Sequence, residues 1–219
     1  MNFFKKLFGS SVSPSEEEQK EAEGKEFDVL KYDGMRAFKT GETAFAIECF
    51  RHALRLQEDL EVRDYLSQAL IQSNELLKAY DELQKLADAE PDNIQIVIRM
   101  AHVAYMMENY TVMGDACERG KLLDKDNVDI NYLYARACLG MGDLVNTIAM
   151  LTKTISLDED YVSAYQLRGE TLLKMGDVEG ADADVAWLLN HDETNEDALL
   201  LKARIEEARQ HHASAMEFY

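Results

Sequence analysis

One spacing constrains this chain more than any single residue in it. From residue 60 onward an apolar pattern with a recurring turn repeats every 34 residues, so the chain is an array of similar supersecondary units. Starts at 60, 94, 128, 162 and 196 put a small residue at the eighth position of each unit: Ser67, Ala101, Ala135, Gly169 and Ala203. A unit starting at 27 adds Gly34, with one residue missing from the spacing. Side chains that small are needed where two paired helices cross closely. Inside a unit the apolar residues recur at three- and four-residue intervals, as in Leu66, Ala69 and Leu70, then Leu76, Leu77, Tyr80, Leu83 and Leu86. That is helical periodicity and not strand alternation. Gly41, Gly142 and Gly176 each stand just past a helical stretch, where one helix stops and the next begins. Neither of the two prolines falls inside a predicted helix. A helix pair cannot bury its apolar stripe alone, so neighbouring pairs must stack into one continuous core.

The residues at these registers resemble the tetratricopeptide repeat (TPR) family over roughly 27–219. The first unit carries Leu30, Gly34, Gly41, Ala46, Ile47, Phe50, Ala53, Leu54 and Leu56, which resembles the family's small residue, turn glycine, A-I-x-x-F and A-L-x-L run. The second keeps Ala79, Tyr80, Leu83, Leu86, Ala87 and a turn closed by Pro91; the fifth keeps Tyr165, Gly169, Gly176, Ala181 and Val185. Units three and four depart from the pattern, with Met113 and Thr147 where alanine is usual and Gly120 and Thr154 at the later position. The closing proline is replaced elsewhere by Glu58, Lys125, Glu159 and Glu193, which leaves those turns on weaker local signals. The resemblance implies an all-α, TPR-type α-solenoid: a right-handed superhelix of about five helix pairs plus a partial sixth.

Composition narrows the function. A net charge of −19 argues against nucleic acid, because phosphate binding needs clustered Lys and Arg. No run of apolar residues is long enough to span a membrane, and the N-terminus lacks the features of a secretion signal. Three cysteines do not make a disulfide framework; Cys117 and Cys138 fall at core registers, which predicts buried thiols in a reducing, cytoplasmic setting. No His/Cys spacing suits a metal, and no P-loop, dinucleotide fingerprint or nucleophile elbow occurs. The reading is a chain that is not an enzyme and uses no cofactor.

In TPR proteins the first helix of each pair lines a groove through positions 2, 5, 6, 9, 12 and 13. The matching positions here hold seven acids against six Lys and Arg, so the groove is close to neutral on a strongly acidic chain. Tyr32, Tyr65, Arg99, His102, Tyr105, Tyr132 and Arg136 are the groove residues expected to bind a protein or peptide, since tyrosine and arginine most often carry interface energy. The family's two-carboxylate clamp is not reproduced: after Lys31, Met35, Tyr65 and Gln95 stand where its other residues belong, before Arg99.

Residues 1–26 read as a flexible N-terminal segment ahead of the array at 27–219. Its tip places Phe4, Leu7 and Phe8 on one face with Lys5 and Lys6 beside them, a pattern suited to weak contact with an anionic membrane surface or a partner groove. Ser15 to Glu18 has capping-box spacing, so the acidic stretch Glu16 to Glu26 is either a leader helix or disordered, and Gly24 argues for a break before the first unit. Two functions follow as expectations. The first is a protein- or peptide-binding adaptor that uses its groove. The alternative is a membrane-peripheral scaffold recruited by the N-terminal tip.

Overall fold

A computed structural model describes residues 15–218; the tip residues Phe4, Lys5, Lys6, Leu7 and Phe8 lie outside the described residues. Those described form twelve helices and no strand. The first helices of the pairs are α1 (Glu16–Thr40), α3 (Leu60–Gln72), α5 (Ile94–Met106), α7 (Val128–Gly140), α9 (Val162–Met175) and α11 (Glu196–Ala208). Their partners are α2 (Thr43–Leu56), α4 (Leu76–Ala89), α6 (Tyr110–Leu123), α8 (Leu144–Leu157), α10 (Val178–His191) and the short α12 (His212–Ala215). From α3 onward both sets advance by the 34-residue period, so the periodicity located the helix starts directly. None of the described helices is long and apolar enough to cross a membrane. The chain forms two compact units, one ending at Glu82 and one beginning at Leu83.

The turns explain the register. Every first helix ends in a residue with left-handed φ at the same place: Gly41, Asn74, Glu108, Gly142, Gly176 and Gln210. Glycine takes that conformation freely, whereas Glu108 and Gln210 hold it at a cost of about 1–2 kcal/mol each. Sequence reading found the three glycines and not the three substitutes. It also undervalued the entry turns that lack proline. Asp59, Asn127 and Asn195 stand immediately before α3, α7 and α11 and cap them through their side-chain oxygens, as Asn93 caps α5 behind Pro91. Each such cap is worth about 1 kcal/mol and supports three of the four turns without proline; at the fourth, before α9, Tyr161 makes no side-chain cap.

In the first unit α1 extends well ahead of the boundary read at residue 26. Ser15 and Glu18 form a reciprocal capping box, and Glu16, Glu17 and Glu18 occupy the first turn, where negative charge favours the helix N-terminus. Lys25 pairs with Glu21 at 2.7 Å one turn away. These terms offset the roughly 1 kcal/mol that Gly24 costs inside a helix, and no break occurs there. Gly34 lies buried where α1 crosses α2: a Cβ on it would stand 2.6 Å from the Phe50 ring. Phe50 is itself fully buried.

In the second unit successive helices pack against their neighbours from α5 to α12. Ala101, Ala135 and Ala203 at the eighth positions are fully buried, as is Ser67 in the first unit, and Gly169 is buried too. The diverged positions are reconciled by local chemistry. Thr147 and Thr154 are fully buried, but their hydroxyls donate to the carbonyls of Asp143 and Met150 one turn back. Gly120 makes room for Ile130, whose Cδ1 would lie 2.4 Å from an added Cβ. Cys117 and Cys138 are buried as their registers predict; burial pushes the Cys117 thiol up to about 12 and that of Cys138 upward as well. Such thiols stay protonated and unreactive.

Candidate functional site

The helical period places Tyr132 and Arg136 one turn apart on the same face of α7, and Tyr105 near the end of α5 meets them. The Arg136 guanidinium carbon sits 3.7 Å from the centre of the Tyr105 ring and 5.8 Å from that of Tyr132. Contacts of this kind contribute about 0.5–2 kcal/mol, depending on how far they are removed from water. Tyr110, the first residue of α6, meets Tyr105 edge to face with ring centres 6.2 Å apart. Its ring lies against the backbone of α7 at Gly140, where an added Cβ would fall 2.2 Å from Tyr110 Cγ. With Leu139 and Leu167 these groups line an open cavity of about 310 Å³.

Two further cavities adjoin it. Leu139 is shared with one of about 390 Å³, lined also by Glu170, Thr171, Leu173, Lys174 and Arg204. Tyr132 and Leu167 are shared with another of about 230 Å³, which reaches Ser163, Gln166, Asn195 and Asp197. A groove therefore runs across the first helices of the second unit. Its lining mixes leucine and tyrosine side chains with polar and charged ones, so it offers both apolar contact and hydrogen-bonding groups. Within it Gln166 donates from Nε2 to Glu170 at 2.7 Å, while its Oε1 is buried with no hydrogen-bond partner. Tyr161 packs on Tyr132 with ring centres 5.0 Å apart. Burial and then the Asp129 charge push its phenol up to about 12, so it remains neutral.

His102 belongs to the same electrostatic neighbourhood. Desolvation holds its pKa below the usual histidine value, the Arg136 charge lowers it further, and Asp129 opposes both. Neutral imidazole is therefore favoured beside this groove.

Of the residues singled out from sequence, Tyr105, Tyr132 and Arg136 line one cavity, and His102 feels the charge of Arg136. Arg99 lies half-buried on α5. Tyr32 and Tyr65 belong to the first unit, where their circumstances differ. Tyr32 is 67% exposed. Tyr65 stacks on Phe50 with ring centres 5.7 Å apart and meets Phe38 at 6.1 Å, so its ring is committed to packing. Lys31 is also engaged, at 2.7 Å from Glu61 and 3.1 Å from Asp59, with its pKa raised chiefly by the Glu61 hydrogen bond.

Tyr110 was missed because it opens a second helix and stands at none of the six inward positions. Its signal was Gly140: a glycine inside a helix, at a position where the other units carry larger side chains, marks a place where something approaches the backbone closely. Lys174 and Arg204 stood at inward positions, but without aromatic companions they were not singled out.

No protein-family model matches the chain, and no curated protein matches it. Solved structures do. A MamA fragment (41-end) from Desulfovibrio magneticus RS-1 superposes with a TM-score of 0.69 at 16% identity, covering 78% of this chain and 97% of that one. PilF of Pseudomonas aeruginosa gives a TM-score of 0.64 at 17% identity, covering 89% and 90%. YrrB, described as a TPR protein with an unusual peptide-binding site, gives 0.67 at 14% identity, covering 79% and 90%. The fold of this chain is accordingly the all-α TPR type, with helices in consecutive packed pairs.

Proposed function

We propose that this chain is a non-enzymatic protein-interaction adaptor, which holds a peptide segment of another protein in the groove of its second unit. The observation that carries the reading is the run of three adjoining cavities with Tyr105, Tyr110, Tyr132 and Arg136 at its centre. Tyrosine and arginine are among the side chains that most often dominate binding energy. The fold adds an analogy: the similar structure of YrrB is described as having a peptide-binding site.

Site-specific photocrosslinking in the full chain tests the reading. A crosslinker at Tyr105 should capture a defined protein band in the native host, and the same group at Leu122, exposed on α6, should not. The Arg136→Ala change should weaken the Tyr105 capture while the chain stays folded at the assay temperature, any drop in melting temperature being small. Equal capture from both positions, or capture indifferent to Arg136→Ala, overturns the assignment.

A further inference from the structure

The cations of the second unit divide into two groups. Arg168 is forked onto Asp184 at 2.6 Å, Lys202 onto Asp182 at 2.6 Å, Arg209 onto Glu179 at 2.8 Å, and Lys153 pairs with Asp126 at 3.2 Å. Arg136, Lys174 and Arg204 have no carboxylate of the described residues within ion-pair distance. All three line the two cavities that share Leu139. The chain has 42 acidic residues against 23 Lys and Arg, so carboxylates are abundant; these three cations stand apart from them. Around Arg136 the recorded contacts are the Tyr105 and Tyr132 rings, and its uncompensated charge is felt at His102.

We propose that this groove binds an extended acidic segment of a partner protein, with carboxylates at Arg136 and at Lys174 and Arg204 and an apolar side chain seated against Leu139 between them. The inference rests on the adaptor reading and adds the chemistry of what is held. Charge complementarity selects the occupant: unpaired cations across an interface favour partners of opposite sign and disfavour others. The complement is small, because Glu170 and Asp197 lie in the same groove and the whole chain carries −19. Two or three carboxylates fit that balance, and a polyanion such as a nucleic acid would be repelled by the rest of the surface. The chain's own residues 1–14 have the wrong sign, holding Lys5 and Lys6 and no acid. The TPR family's clamp is not what these cations form: Arg136 and Arg204 stand at position 9, where the clamp carries asparagine, and Lys174 stands at position 13, which the clamp does not use.

The probe is a displayed library of random 12-residue peptides, selected against the full chain, with the selected sequences resynthesised with blocked ends and measured by fluorescence anisotropy. Selected peptides should be enriched in Asp and Glu on both sides of an apolar residue. Replacing those acids by Asn and Gln should weaken binding at least tenfold, as should Arg136→Gln combined with Lys174→Gln and Arg204→Gln. Affinity should also fall as salt rises, because part of the attraction is screened. The Lys125→Gln control removes an unpaired cation outside the cavities and should leave binding unchanged. Peptides that bind without acids, or that tolerate the triple substitution in a chain with an unaltered melting curve, overturn the acidic specificity and leave the adaptor reading standing. Failure to select any peptide that binds the chain removes both. Binding of a synthetic peptide of residues 1–14 in place of acidic ones would also overturn the proposal.

Discussion

Tyr65 and Tyr105 both stand at inward positions of their helix pairs, yet the two halves of the chain use them differently. In the first unit Tyr65 is covered by Phe50 and Phe38, and the inward cation Lys31 is held by Asp59 and Glu61. In the second unit Tyr105 remains 37% exposed, faces an arginine with no acidic partner among the described residues, and borders open space. The repeat sets the direction a side chain points. Whether it becomes core or site depends on how large and how charged its neighbours are. Phe38 and Phe50 pack on Tyr65, while Gly140 seats the Tyr110 ring and Leu139 and Leu167 line a cavity beside Tyr105.

The largest test of this contrast is truncation of the two tyrosines. Tyr65→Ala removes a ring from an aromatic stack and should cost about 3 kcal/mol, the lower end for a buried aromatic because Tyr65 is only half-buried. Tyr105→Ala should cost less, about 1–2 kcal/mol, since its ring is 37% exposed and the Arg136 and Tyr110 groups that cover it border open space. Urea denaturation of both variants checks it; equal losses would erase the distinction between packing and binding tyrosines.

A second comparison concerns the two glycines at the eighth position. Adding a methyl at Gly34 drives a Cβ to 2.6 Å from the Phe50 ring, which is locked by Tyr65, so Gly34→Ala should cost about 1–3 kcal/mol. At Gly169 the nearest atom is Leu201 Cδ2 at 3.1 Å, and a small rotamer adjustment relieves it. Gly169→Ala should therefore be nearly neutral, whereas Gly169→Leu should be destabilising. Melting temperatures that rank Gly169→Ala below Gly34→Ala would contradict the crossing geometry.

The smallest effect sharpens the electrostatics of the second unit. Arg136→Ala removes a charge that lowers the His102 pKa while Asp129 stays, so that pKa should rise, as read by NMR titration of the imidazole. The folded value lies below the unfolded value of 6.5, so the unfolded chain takes up the proton first. The stability contributed by neutral His102 is complete above about 6.5 and is lost as pH falls through the lower folded value. In Arg136→Ala that loss should shrink. An unchanged titration would mean that Arg136 does not act on His102.

The sequence alone determined the helix starts, the close-packed eighth positions and the fold class. Each depends on periodicity and residue size, which a linear string records. It also contained the αL turn at Glu108, the Asn and Asp caps and the glycine that seats Tyr110, but these signals are single residues and are legible only once a register is known. The continuity of α1 through Gly24 was decided by several small helix terms acting together, which no one residue displays. Tertiary structure alone decided that Tyr65 is packed between two phenylalanines while Tyr105 borders a cavity, and that Arg136, Lys174 and Arg204 lack acidic partners among the described residues. Those facts depend on distances between side chains from different helices. A chain with so many carboxylates does not reveal from its order which cations they leave unneutralised.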